Sequence, residues 1–252
     1  MDIKKSVNNK VAVITGATSG IGRETALLFA QQGIKVVAAG RDEKSGLALV
    51  DEIKSSKGEA IFVKTDVSDS RSVQSLIHTA KTRFGEIDFA FNNAGIEGLL
   101  GPLASMEESS WDSVINTNLK GVWLCLKYQL PEIRRGGAVV NTSTNITKFG
   151  LAATGAYTAS KAGVDALTQV AAIEYGKHGV RVNAISPGAV ETPMLSRIYK
   201  SEEIEQLKRS NPLNSIPQPK DVAQTVLWLC SPLSNHVNGA NIFIDGGASL
   251  LC

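Results

Sequence analysis

Short apolar runs alternate along the chain with longer segments in which apolar residues recur at helical spacing. A short apolar run between turn residues predicts a strand, and the helical spacing predicts an amphipathic helix. The strands are predicted over residues 11–15, 34–39, 60–65, 87–92, 138–143, 180–186 and 242–244. The helices are predicted over residues 21–32, 43–57, 70–84 and 154–178, with two more between residues 106 and 135.

Some of the predicted strands are apolar on both faces, as in residues 11–14 (Val-Ala-Val-Ile) and residues 138–140 (Ala-Val-Val). Such strands occur in parallel sheets that helices cover on both sides. They predict an α/β fold, a single Rossmann-type doubly wound domain with a seven-stranded parallel sheet and helices on both faces. No repeat or composition break divides residues 1–252, and we expect a cofactor half over about residues 8–150 and a catalytic and substrate half over about residues 151–252.

The composition narrows the class of protein. Of the 252 residues, 43% are hydrophobic and 20% are charged, and the formal net charge of +2 favours neither a nucleic-acid nor a membrane partner. Residues 1–10 are polar and charged, without the apolar core of a signal peptide. No apolar run approaches the roughly 18 to 20 residues that span a bilayer. We therefore expect a soluble, cytoplasmic protein.

The cysteines are Cys125, Cys230 and Cys252, an odd number at wide spacing with no CxxC motif and no nearby histidine in ligand spacing. This pattern predicts reduced thiols and no metal site. Cys125 and Cys230 are expected to be buried as small apolar side chains.

A glycine-rich turn follows the first predicted strand and opens the first predicted long helix. In this setting Gly16 permits a tight turn, while Gly20 and Gly22 allow the backbone to approach a pyrophosphate at the positive end of the helix. The expected cofactor contacts in the turn are Gly16, Thr18, Ser19, Gly20, Ile21 and Gly22. The alternative is a tight strand-to-helix turn that binds no ligand.

The end of the second predicted strand bears on the choice of nucleotide. An acidic residue there binds the ribose hydroxyls of NAD, whereas an arginine suits the 2′-phosphate of NADP. Here the residues are Gly40 and Arg41, so NADP(H) is preferred. Asp42 comes next and weakens the preference, and a solvated Arg41 would leave NAD(H) as the alternative.

Two more groups follow predicted strands at the edge of the sheet where ligands bind in open parallel sheets. Asp66 and Val67 follow the third strand, and Asn93, Ala94 and Gly95 follow the fourth. Asp66 can accept a hydrogen bond from an adenine amine, and the small pair Ala94-Gly95 lets a cofactor lie close to the backbone. A simple turn around the Asp or Asn side chain is the alternative for each.

Tyr157 and Lys161 are separated by four positions in a predicted helix and therefore share a face. A neighbouring ammonium favours the phenolate, so we expect a lowered Tyr157 pKa and a phenol that exchanges protons. A surface tyrosine beside a solvated lysine is the alternative. Combined with the glycine turn, the pair indicates a nicotinamide-dependent oxidoreductase.

Four motifs occur in order: TGxxxGIG at residues 15–22, NNAG at 92–95, YxxxK at 157–161, and Pro-Gly at 187–188. With them the chain resembles the short-chain dehydrogenase/reductase family over nearly its whole length. The resemblance implies a seven-stranded Rossmann-type sheet, proton transfer by Tyr157, and a Lys161 that holds the nicotinamide ribose and lowers the Tyr157 pKa.

The resemblance extends to two further catalytic positions. Asn118 matches the family residue that kinks a helix and anchors a proton-relay water, with a plain helix-interior amide as the alternative. Thr144 stands where the family usually has serine, thirteen positions before Tyr157. Its hydroxyl can still donate to a substrate oxygen, although its methyl group narrows the pocket. Ser143 is the alternative donor.

The segment after the sixth strand is expected to contact the nicotinamide amide, as the resemblance implies. The residues concerned are Pro187, Gly188, Val190 and Thr192. Beyond them, residues 193–217 should form a flexible lid and substrate wall.

The family's C-terminal pattern appears at residues 238–241 and 245–247. It implies a homotetramer, with a dimer as the alternative, and places residues 250–252 near a partner subunit.

The predicted activity is hydride transfer between NADP(H) and a carbonyl or secondary alcohol, such as a 3-oxoacyl-type, ketone or sugar-like substrate. An NAD-linked alcohol or polyol dehydrogenase is the alternative enzyme. A catalytically weak NAD(P)-binding regulator and a purely structural α/β protein are the alternatives from other classes. Fold resemblance does not choose the substrate.

Overall fold

The computed structural model describes residues 3–251, so Cys252 lies outside the described residues. The strands are β1 (Val11–Thr15), β2 (Lys35–Gly40), β3 (Ala60–Lys64), β4 (Ile87–Asn92), β5 (Ile133–Thr142), β6 (Arg181–Pro187) and β7 (Asn241–Ile244). The α-helices are α1 (Ile3–Val7), α2 (Gly20–Gln31), α3 (Glu43–Ser55), α4 (Ser70–Phe84), α5 (Glu108–Val114), α6 (Gly121–Gln129), α7 (Gly155–Gly176), α8 (Pro193–Ile198), α9 (Ser201–Ser210) and α10 (Pro219–Cys230).

All seven strands form one parallel sheet in the order β3-β2-β1-β4-β5-β6-β7. This confirms the predicted Rossmann-type α/β fold. The order reverses between β1 and β4, and in such sheets ligands bind in the crevice outside the carboxyl ends of the strands at that point.

Two hydrophobic cores cover the two faces of the sheet. Strand β1 contributes Ala12 and Ile14 to one core and Val11 and Val13 to the other, as expected from the alternation of side chains along a strand. Helices α2, α3 and α10 pack on the first face, and α4, α6 and α7 pack on the second. Every residue of β1 is buried, and all but its last residue, Thr15, are apolar.

Some elements differ from the sequence-based expectation. Strand β5 begins at Ile133, which pairs with Ile87, and the register shifts before Ala138 pairs with Phe89. Helices α8, α9 and α10 occupy segments to which no helix was assigned, and α8 and α9 lie within the expected lid.

Cys125 and Cys230 are buried, as expected, and burial raises the pKa of each thiol to about 12. Within residues 3–251, none of the helices has the length and apolar character that crossing a bilayer requires.

Candidate active site

A cavity of about 720 Å³ lies at the carboxyl edge of the sheet and runs from the glycine turn to Tyr157 and the α8 helix. It brings together most of the residues singled out in the sequence. These are Gly16, Thr18, Ser19, Gly20, Ile21, Arg41, Asp66, Val67, Asn93, Ala94, Gly95, Thr144, Tyr157, Lys161, Pro187, Gly188, Val190 and Thr192. Gly22 and Asn118 do not line the cavity and support its walls from behind.

The glycine turn presents the N-terminus of α2 to this cavity. Gly16 and Gly20 have φ angles of +65° and +52°, which residues with a Cβ rarely adopt. No acidic side chain lies in the first turn of the helix. The free amides and the positive end of the helix dipole therefore face the cavity, as a pyrophosphate site requires.

Gly22 has a different role from the one expected. A Cβ on Gly22 would lie 2.2 Å from the Gly16 carbonyl oxygen and 2.7 Å from the Asn93 side-chain nitrogen. Glycine is therefore needed here for packing of the turn against its own helix, and its expected part in close approach of a ligand stays a prediction.

Thr15 and Asn93 hold the glycine turn against the end of β4. The Thr15 hydroxyl oxygen accepts from the backbone N–H of Asn93 at 3.1 Å and of Ala94 at 3.2 Å. The Asn93 amide donates to the Gly16 carbonyl at 3.3 Å. The side chain of Asn93 thus orders the turn, in addition to facing the cavity.

Arg41 and Asp66 face each other at the far end of the cavity, beyond the glycine turn. The Asp66 carboxylate accepts from the Ser68 backbone N–H at 2.9 Å and from its hydroxyl at 2.7 Å, which is the turn expected as the alternative. These hydrogen bonds and the Arg41 charge lower the pKa of Asp66.

Asp42, next to Arg41, caps the helix that follows. Its carboxylate caps α3, accepting from the Ser45 backbone N–H at 3.1 Å and from the Ser45 hydroxyl at 2.6 Å. Asp42 also lines the cavity beside Arg41, so an acidic and a basic side chain are both present at this end.

Tyr157 and Lys161 both lie on α7 and line the cavity, with Lys161 buried and Tyr157 half-buried. The Lys161 Nζ donates to the Thr142 carbonyl at 2.7 Å and lies 5.8 Å from the centroid of the Tyr157 ring. Burial lowers the pKa of Lys161 to about 8.

The expected lowering of the Tyr157 pKa is wrong for the protein alone. Burial raises the pKa of Tyr157 to about 12, and the negative charge of Glu97 adds to the increase. The Thr144 hydroxyl faces the phenol and acts in the opposite direction. Proximity of Lys161 does not outweigh the loss of hydration, so Tyr157 is protonated at neutral pH.

Thr144 and Ser143 point to different neighbours. Thr144 faces Tyr157, whereas the Ser143 hydroxyl donates to the Lys161 carbonyl at 3.3 Å. Strand β5 ends at Thr142, and adjacent side chains in extended backbone face opposite ways. This geometry favours Thr144 over Ser143 as the hydroxyl beside the reacting atoms.

Asn118 lies within a π-helical segment, Ile115–Lys120, between α5 and α6. Its buried amide pairs with the backbone of Ile96, accepting at 2.8 Å and donating at 2.9 Å. It also donates to the Ser160 hydroxyl at 3.2 Å. Asn118 therefore ties the loop after β4 to α7, and the π-helical turn is the helix irregularity that the resemblance implies.

A salt bridge in the substrate end of the cavity was not identified from the sequence. The Arg197 guanidinium on α8 binds the Glu97 carboxylate through two hydrogen bonds, at 2.9 and 3.2 Å. The partners are 100 positions apart, so only the fold brings them together. Much of the surrounding wall is apolar, with Ile96, Leu100, Ile146, Leu151, Met194 and Ile198, and Glu203 also lines the cavity.

The model of the family described as enoyl-(acyl carrier protein) reductase matches residues 16–249. The short chain dehydrogenase/reductase astE of Aspergillus oryzae is 40% identical over 98% of both chains. The chain belongs to the short-chain dehydrogenase/reductase family. The protein is thus an oxidoreductase that acts on alcohol or carbonyl groups, in a family that uses NAD(P)(H).

Other members of the short-chain dehydrogenase/reductase family are similar over nearly the whole chain. A cyclohexanol dehydrogenase from Acinetobacter sp. is 38% identical over 95% of this chain and 94% of its own length. The 3-oxoacyl-[acyl-carrier-protein] reductase FabG of Thermotoga maritima is 38% identical over 96% and 98%. The crystal structure of levodione reductase superposes with a TM-score of 0.94 at 35% identity, covering 97% of this chain and 99% of that one.

Proposed function

We propose that this protein is an NADP(H)-linked reductase that interconverts a ketone and a secondary alcohol on an uncharged, largely apolar substrate. One observation carries the proposal: a single cavity joins Tyr157, Thr144 and Lys161 to the N-terminus of α2, with Arg41 at its far end. The apolar wall and the internally paired Glu97 and Arg197 favour a neutral substrate over an anion.

The first experiment is a substrate panel, followed by nicotinamide absorbance. It compares cyclohexanone, a 3-oxoacyl thioester and a keto sugar, each with NADPH and with NADH. We expect the highest kcat/KM with cyclohexanone and NADPH. If the protein turns over none of the three substrates with either nucleotide, the proposal is wrong.

The cavity offers protein groups for each part of the nucleotide. The amides at the start of α2 would hold the pyrophosphate, and Lys161 the nicotinamide ribose. The loop that includes Pro187, Gly188, Val190 and Thr192 would hold the carboxamide. When bound, the nicotinamide supplies or accepts the hydride.

The residues of this chain supply the proton. Tyr157, protonated at neutral pH because of its raised pKa, donates its proton to the substrate oxygen during reduction. The Thr144 hydroxyl donates a hydrogen bond to the same oxygen. The Lys161 ammonium stabilises the phenolate left behind. Asn118 and Lys161 then support return of a proton from solvent.

Carbonyl reduction is expected to decline as the pH rises through about 8. The pKa of Lys161, lowered to about 8 by burial, means that the ammonium loses its charge there. The Tyr157 phenol, with a pKa of about 12, is still protonated. Lysine therefore sets the alkaline limit, and the pH profile of kcat/KM, which reports the free enzyme, measures it. A profile that is flat across this region contradicts the role of Lys161.

Arg41→Ala is expected to raise the Kd for NADPH about tenfold while leaving the Kd for NADH nearly unchanged, because one exposed charge-assisted contact to the 2′-phosphate is lost. Fluorescence titration with both nucleotides measures this. Arg41 is exposed, which keeps an NAD-linked dehydrogenase as the second candidate. Equal loss of affinity for both nucleotides would favour that candidate.

We also propose a cytoplasmic homotetramer, with a dimer as the alternative. Large apolar side chains are exposed on two neighbouring helices, Trp123 of α6 and Ile173 of α7, at 44% and 80%. Such exposure supports a subunit contact on this face. Sedimentation equilibrium measures the assembly, and a monomer would contradict the proposal.

A further inference from the structure

Asp165 lies one helical turn beyond Lys161 on α7 and is half-buried beneath the cavity. Its carboxylate accepts from the Asn241 amide of β7 at 3.0 Å. The hydroxyls of Ser143 and Thr147 also face this carboxylate. Asp165 thus contacts groups from β7, from the end of β5 and from the turn that follows it.

These partners are themselves bonded to the backbone of the site. The Ser143 hydroxyl donates to the Lys161 carbonyl at 3.3 Å. The Thr147 hydroxyl donates to the Thr144 carbonyl at 3.0 Å. The Asp165 carboxylate therefore lies beside the two hydroxyls that bond the backbone at Lys161 and at Thr144.

The Asp165 carboxylate is the negative charge that acts on the buried Lys161 ammonium. Burial disfavours the Lys161 ammonium, and the Asp165 charge is the group that opposes this effect. From the loop after β4, Glu97 acts on Tyr157, and β5 offers Lys161 only the uncharged Thr142 carbonyl. Burial also raises the pKa of Asp165, while the hydroxyls and the Lys161 charge lower it.

We propose that Asp165 is a positioning residue of this enzyme, which ties β7 to the segment that carries Ser143 and Thr144 and places a negative charge one helical turn from Lys161. The proposal rests on the proposed function for its catalytic meaning. Its electrostatic part concerns the protein alone and is testable without turnover.

The first test follows the titration of Lys161 by NMR in ligand-free protein labelled at the lysine side chains, with the signal assigned by Lys161→Met. In Asp165→Asn we expect the titration midpoint to fall by about one pH unit or more, as for loss of a nearby opposite charge. Asp165→Glu should restore most of the shift. Glu174→Gln is the matched control, because it removes an exposed carboxylate from the same helix, nine positions further on.

The second test is the pH profile of kcat/KM with NADPH and cyclohexanone. Asp165→Asn should move the alkaline decline to lower pH by a similar amount, a change that a purely structural defect would not produce. If Asp165→Asn does not fold, Asp165→Ser, which has a smaller neutral side chain, replaces it. An unchanged Lys161 midpoint in a folded variant overturns the proposal, whereas absence of wild-type turnover with a shifted midpoint overturns only the proposed function.

Discussion

Tyr157→Phe is expected to lower kcat for carbonyl reduction by about 10²–10⁴-fold, the usual contribution of a positioned general acid. The substitution removes only the hydroxyl, so the ring keeps its place in the cavity wall beside Lys161. The proton donor is lost, and Thr144 can still hydrogen-bond the substrate oxygen but not replace the acid. Steady-state kinetics and NADPH titration check the result, and we expect the Kd for NADPH to change little.

Tyr128→Phe is the matched control for this substitution. The Tyr128 hydroxyl forms a hydrogen bond with Ser70 at 2.8 Å, away from the cavity. Tyr128→Phe removes the same atom, a phenolic oxygen, at a position outside the cavity. Its kcat should stay near the wild-type value. Full turnover by Tyr157→Phe on a substrate that the wild type reduces would remove Tyr157 from the mechanism.

The strands of the central sheet were predictable because burial on both faces leaves a strong local signal. Strands β1 and β4 have the predicted bounds, and α4 does too. Strand β5 begins earlier than predicted. The prediction missed its first half because Arg134, Arg135, Gly136 and Gly137 are residues typical of a turn. Pairing of Ile133 with Ile87 outweighs that local preference.

The helices after β6 were not predicted, and the reason differs between α9 and α10. Helix α9 has no buried residue, so its sequence lacks the apolar stripe of a core-facing helix. Its ends are instead stabilised locally, with the Glu203 carboxylate accepting from the Lys200 backbone N–H at 2.7 Å. Helix α10 does have such a stripe, including Val222 and Val226, and this spacing could have identified it.

At the active site, sequence spacing predicted which residues share a helix face but not their pKa values. Residue type and spacing place Tyr157 and Lys161 on one face, but the pKa of each depends on burial by distant parts of the chain. The pairing of Glu97 with Arg197 depends in the same way on the position of α8. Spacing in the sequence therefore identified the Tyr157–Lys161 pair, whereas tertiary structure sets the pKa of both residues and brings Glu97 to Arg197.

Gly22→Ala is expected to destabilise the protein by about 1–3 kcal/mol or more and to raise the Kd for NADPH about 100-fold. Alanine is favoured over glycine in a helix by about 1 kcal/mol, so local propensity alone predicts a stabilising change. The new Cβ, however, would lie 2.2 Å from the Gly16 carbonyl oxygen. Backbone cannot move aside as a flexible side chain can, so the turn must shift and its amides leave their positions.

Gly101→Ala is the control, because a Cβ there has nothing within 4 Å. Thermal unfolding and NADPH titration should show both losses in Gly22→Ala and neither in Gly101→Ala. If Gly22→Ala keeps wild-type stability and affinity, then the turn tolerates displacement and the α2 amides do not form the rigid anion site inferred here. If it loses stability alone, the clash is absorbed away from the cavity, and the pyrophosphate must be held by other groups.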